Sequence, residues 1–123
     1  MDKELEKKLV EKYPTVFKEY GGDMRHTCMA WGIACGDGWY DILNDLCSKL
    51  EPLGVVAAQI KEKFGGLRFY TNPIDEDVSW DEVHNHIHEA ERKSYETCEK
   101  CGKPGKTIGG GWVVTLCDEC NKK

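Results

Sequence analysis

Apolar residues at helical spacing before and after a central glycine-turn hairpin, followed by two CxxC pairs beyond residue 95, predict an α+β fold. The expected architecture is a small antiparallel sheet with flanking helices and a C-terminal module of the ribbon or treble-clef kind. Residues 1–95 form the α+β domain in this reading, and residues 96–123 form the module. A chain of 123 residues is long enough for one modest core with such an appendage.

In residues 2–12, Leu5 and Leu9 stand at i, i+4 among charges, which predicts an amphipathic helix ended by Pro14. A second short helix is expected from Pro14, burying Val16, Phe17 and in part Tyr20, and stopping at Gly21-Gly22. The stretch from Met24 to Gly38 has no clean period and reads as loop around Trp31. Trp39, Ile42, Leu43, Leu46, Cys47 and Leu50 then follow a helical period over 39–51, closed by Pro52 and Gly54.

Val55 to Phe64, Gly65-Gly66, and Leu67 to Thr71 read as two strands about a two-residue glycine turn. Pairing Phe64 with Leu67 puts Ile60, Glu62, Phe64, Leu67, Phe69 and Thr71 on the packed face. Gln59, Lys61, Lys63, Arg68 and Tyr70 share the other. Cations, an amide and an aromatic ring on one face suit a phosphate, a nucleotide or an acidic protein side chain, so these five are the candidate ligand-binding residues. The competing role for the lysines is to discourage edge pairing of the strand. After an acidic loop, Ser79 is a good N-cap for a helix from Trp80 to about Tyr95, with Val83, Ile87, Ala90 and Ser94 facing inward.

Cys98-Glu99-Lys100-Cys101 and Cys117-Asp118-Glu119-Cys120 stand 15 residues apart with a glycine-rich turn between them. That spacing predicts one tetrahedral Zn²⁺ site made of Cys98, Cys101, Cys117 and Cys120. Four thiolates leave no position open for water, so the ion is expected to be structural. The hairpin within TIGGGWVVTL fits a ribbon or a treble clef. The ribbon is favoured slightly, because only three residues remain after Cys120. His84 and His88 lie one helical turn apart and His86 on another face, without an acid or cysteine at ligand spacing to complete a second site. Cys28, Cys35 and Cys47 are left over, and a buried cysteine commonly serves as a small hydrophobe.

The net charge of −5 is unevenly spread. Residues 72–91 carry seven acids and no Lys or Arg, whereas 92–123 carry seven basic and four acidic residues. Four thiolates around a divalent ion take two charges away from that segment, leaving it near +1, a poor footprint for gripping a phosphate backbone. Nucleic-acid binding through Lys100, Lys103, Lys106, Lys122 and Lys123 is therefore an alternative that the charge disfavours. No apolar run reaches the ~20 residues of a membrane span, and no secretory signal opens the chain, so the cysteines are expected in a reducing cytoplasm. An enzyme using His26, Cys28 or Asp37 near the tryptophan-rich loop is a further alternative. It ranks last, since no nucleophile motif, phosphate loop or open metal site is present in the sequence.

Taken as a set, EKYPTVFKEYGGDMRHTCMAWGIACGDGWYDIL, QIKEKFGGLRFY, AERKSYETCEKCGKPG and GGGWVVTLCDEC resemble a group of small uncharacterised proteins encoded by bacteriophages and prophages. The resemblance covers nearly the whole chain and implies a phage origin and action in the cytoplasm of an infected bacterial host cell. It brings no activity to particular residues. Members often carry a longer insertion after the helix that ends near Leu50, where this chain is compact. By analogy with small phage proteins outside the virion, the expected role is non-enzymatic binding or inhibition of a host component or a defence signal. The partner is expected to be a host protein or an anionic small molecule.

Overall fold

The computed structural model describes residues 1–23, 25 and 27–122. Met24, His26 and Lys123, named above, lie outside the described residues. The chain is α+β: α1 (Lys3–Lys12), α2 (Tyr40–Leu50), β1 (Ala57–Lys63), β2 (Gly66–Thr71), α3 (Trp80–Ser94), β3 (Lys106–Ile108), β4 (Val114–Leu116) and α4 (Asp118–Asn121). β1 pairs with β2 and β3 with β4, both antiparallel, in two separate sheets.

The three long helices form where the periodicity puts them. Asp2 caps α1 by accepting the Glu4 N–H at 3.0 Å, and Leu9 is fully buried beneath it. Short 3₁₀ turns at Asp37–Trp39 and Glu51–Leu53 extend α2 at both ends, with Gly54 in the left-handed region closing the second. Ser79 caps α3 through the Glu82 N–H, and Val83, Ile87, Ala90 and Ser94 are its buried stripe. One apolar cluster, running from Leu9 to Ala90 along the chain, joins these helices to the inner face of the β1–β2 hairpin.

The helix expected from Pro14 is instead a run of turns, although Val16 and Phe17 are buried as anticipated. Its backbone groups are used elsewhere. The Glu51 carboxylate accepts the Thr15 and Val16 N–H groups, and the Val16 carbonyl accepts the Ala57 N–H at 2.9 Å, which anchors the start of β1. A regular helix would have to give up those bonds.

The hairpin forms, but its turn is Phe64-Gly65 rather than Gly65-Gly66. Lys63 pairs with Gly66, Glu62 with Leu67, Ile60 with Phe69, and Lys61 with Arg68. Both turn residues have positive φ, Phe64 at 54° and Gly65 at 84°, the type I′ pattern. Gly66 falls in the strand, and the position requires glycine because a Cβ there would lie 2.3 Å from the Tyr95 ring. Moving each pair by one residue on both strands leaves the two faces as predicted, except that Phe64 leaves the packed face and stands 66% exposed. Its expected burial is thus corrected. An L residue at this φ is disfavoured by about 1–2 kcal/mol, so Phe64→Asn, which creates the preferred Asn-Gly pair, should raise stability by about 1 kcal/mol in urea denaturation.

Glu6 is a charged residue in the interior, only 2% exposed. Its carboxylate accepts the Ile33 N–H at 3.2 Å and the Tyr20 hydroxyl, and it lies 3.9 Å from the Met1 ammonium. The hydrogen bond to Glu6 and then burial push the Tyr20 phenol up to about 12. Gly32, at φ +80°, clears the same carboxylate, which a Cβ would approach to 2.8 Å. Glu6→Leu should cost about 3–5 kcal/mol by stranding these buried partners, and Glu6→Gln distinctly less. Equal midpoints for the two variants in chemical denaturation would count against this role.

Candidate metal centre

The metal-ligand geometry starts with a tight knuckle. The Gly102 N–H donates to the Cys98 carbonyl at 2.9 Å, and the Cys98 N–H to the Lys103 carbonyl at 2.8 Å. Gly102 takes φ +83°, which lets the chain reverse directly after Cys101. Pairing of Lys106 with Leu116, Thr107 with Thr115 and Ile108 with Val114 then returns the chain to the knuckle. Cys117 caps α4, with its sulfur 3.5 Å from the Cys120 N. Knuckle, hairpin and helical turn in that order make the module treble-clef-like. Cys117 starts the helical turn itself, so the module takes the treble-clef order rather than that of the slightly favoured ribbon.

The four sulfurs lie within 4.8 Å of one another, and those of Cys101 and Cys117 are 3.5 Å apart. Zn–S bonds of about 2.3 Å in a tetrahedron place sulfurs about 3.8 Å apart, so the donor set can hold a metal ion with little adjustment. Burial disfavours the Cys98 thiolate, but the backbone N–H groups of Cys117, Cys101 and Lys100 outweigh it and hold the thiol down to about 6. Contacts with the Cys117 and Cys98 sulfurs push the Cys120 thiol up to about 12. Thiols crowded this closely cannot all ionise unless a cation joins them.

This cluster is tied to the rest of the chain by contacts that spacing does not reveal. Gly38 donates its N–H to the Glu99 carbonyl at 2.7 Å, Gly36 to the Glu99 carboxylate at 2.8 Å, and the Trp39 indole to the Thr97 carbonyl at 2.9 Å. On the other side, the Thr115 hydroxyl donates to the carbonyl of Gly65 at the hairpin turn. The loop segment that had no readable period therefore seats the knuckle. Its signal in the sequence is only the pair of glycines in Cys35-Gly36-Asp37-Gly38.

The five hairpin residues proposed to bind a ligand lie on one face, as the register requires. Arg68 is engaged within the chain, 2.7 Å from the Glu91 carboxylate and 3.1 Å from the Tyr95 hydroxyl. Lys61 and Lys63 form no ion pair among the described residues. Their ammonium groups stand over rings instead, Lys61 at 6.0 Å from the Tyr70 centroid and Lys63 at 5.4 Å from that of Phe64.

Other candidates are placed apart. His84 stacks on Trp80 with ring centroids 3.9 Å apart, and His86 lies 4.0 Å from Glu82. Among the described residues, the four cysteines are the group of three or more side chains suited to a metal. Asp37 accepts the Asp2 N–H at 2.7 Å, whereas Cys28 is exposed on a separate turn. Cys35 and Cys47 are buried, and burial pushes both thiols up, Cys35 to about 12. Lys103 of the module lies 3.8 Å from the Glu119 carboxylate. No helix among the described residues is long and apolar enough to cross a membrane.

No protein-family model, curated protein or solved structure matches the chain. Function therefore has to be read from the cluster and the hairpin it supports.

Proposed function

We propose that this is a phage-type zinc-binding protein of the infected cell's cytoplasm, acting by non-enzymatic binding of a host component or a defence signal. The observation that carries the reading is the closed set of four sulfurs in a module whose Thr115 accepts the Glu99 N–H beside Cys98 and donates its hydroxyl to the turn of the β1–β2 hairpin. Such a site has no open coordination position and acts as a staple. The surface it supports carries Gln59, Lys61, Lys63 and Tyr70, with two ammonium groups free of acidic partners among the described residues. An anionic group on a host protein or small molecule is the complementary ligand. Arg68 shapes this face through Glu91 rather than reaching outward.

Metal analysis of the purified protein should find one zinc per chain. A tagged protein should retain a partner from bacterial lysate, and Lys61→Ala combined with Lys63→Ala should reduce capture while leaving the melting temperature within about 2 °C. Undiminished capture by that double variant would remove the hairpin face from the function.

A further inference from the structure

The turn of the β1–β2 hairpin and the loop of the metal-binding hairpin face each other across an open cleft of about 420 Å³. Phe64 and Lys63 stand on one side and Trp112 and Val113 on the other, with Gly111 beside them. Both rings are turned to solvent, Phe64 at 66% and Trp112 at 80%. Phe64 also occupies a positive φ that asparagine or glycine would take with less strain. A bulky aromatic kept in such a backbone state, with its ring outside the core, contributes little to folding. Strain of this kind is commonly retained for binding.

We propose that this cleft binds a small nucleotide, its base against the Phe64 and Trp112 rings and its phosphate at Lys63, with Lys61 further along the same face. This rests on the binding-protein reading above and names its ligand, but it does not depend on a phage origin. Flat rings favour a flat partner, because base–aromatic stacking is effective with every base. The ammonium of Lys63, 5.4 Å from the Phe64 centroid, supplies the charge for a phosphate directly beside the stacking surface. The carboxylate of Glu62, which also lines the cleft, is turned to the Gly65 N–H at 2.8 Å. A volume of this size lies within the ordinary range for small-ligand sites. The chain's net charge of −5 works against a long polyanion, which favours a single nucleotide over a strand.

The metal builds half of this site. Trp112 lies in the loop between β3 and β4, and those strands are held to the hairpin turn by the Thr115 bond to Gly65. Metal removal should therefore abolish nucleotide binding even where Phe64 stays in place.

The test is NMR titration of the ¹⁵N-labelled, zinc-loaded full chain with AMP, GMP, CMP and UMP, with ribose 5-phosphate as the control lacking a base. The expected result is shifts centred on Lys63, Phe64, Gly111 and the Trp112 indole with at least one nucleotide. Phe64→Asn and Trp112→Ala should each weaken binding about tenfold while the protein still melts cooperatively. No shifts up to millimolar nucleotide, or equal shifts with ribose 5-phosphate, would overturn the proposal. A single-stranded oligonucleotide binding tenfold more tightly than any mononucleotide would overturn it in favour of a strand. If lysate capture depends on Lys61 and Lys63 but not on Phe64 or Trp112, this inference falls and the wider binding reading stands.

Discussion

Chelating the metal, or replacing Cys98 by serine, is expected to melt residues 96–123 and leave a folded remainder. Structural zinc in small peptides is worth about 10–16 kcal/mol of apparent folding free energy, against a total of about 5–15 kcal/mol for an ordinary domain. Within the module itself little apolar packing stands in for the metal, since its strands are only three residues long and Trp112 and the glycines before it are exposed. The apolar cluster behind α1, α2, α3 and the β1–β2 hairpin draws on no residue past Ala90, so it does not need the metal. Hydrogen exchange should show protection lost at Cys98, Glu99, Gly102 and Gly105 after chelation and retained at Lys61, Arg68 and Ile87. Weakened protection at Gly38 should accompany it, because its N–H is given to the Glu99 carbonyl. An exchange pattern unchanged by complete metal removal would show that the cluster is not a folding staple.

What could be read from the sequence was local. Leu9 in α1, the Leu43–Leu46–Leu50 series in α2 and the Val83–Ala90 stripe in α3 follow from 3.6-residue periodicity, and all are buried. The cysteine cluster follows from spacing, because each CxxC closes on itself through knuckle or helix-cap bonds that need no distant partner. Gly65-Gly66 could not be resolved from sequence. Either glycine pair or Phe64-Gly65 makes a two-residue turn, and only Tyr95, far along the chain, requires glycine at 66. The turns after Pro14 were hidden for the same reason, since they depend on Glu51 and Ala57. Face assignment survived the shifted turn because both strands moved together.

Gly38→Ala is expected to be among the most damaging single-methyl substitutions in the protein, although Gly38 lies in neither the apolar cluster nor the metal cluster. A Cβ at Gly38 would sit 2.0 Å from the Cys98 carbonyl oxygen and 2.6 Å from the Gly102 nitrogen. Both are backbone atoms of the knuckle, so no side chain can rotate away, and relief requires the knuckle to separate from the Gly36–Trp39 turn. Separation also stretches three bonds, from Gly38 to the Glu99 carbonyl, from Gly36 to the Glu99 carboxylate, and from the buried Trp39 indole to Thr97. Overpacking of about 1–3 kcal/mol and roughly 1 kcal/mol for each of the three bonds give an expected loss of about 4–6 kcal/mol. The cluster should still bind a metal ion, because the four cysteines and their local bonds are all within residues 98–120. The expected signature is therefore full metal content with a lowered melting temperature, and with hydrogen exchange at Cys98 to Gly102 faster than in the parent. Gly109→Ala is the matched control, as a Cβ there meets nothing within 4 Å and its stability should change by less than about 0.5 kcal/mol. Matching melting curves for the two variants would mean that the knuckle does not rest on Gly38.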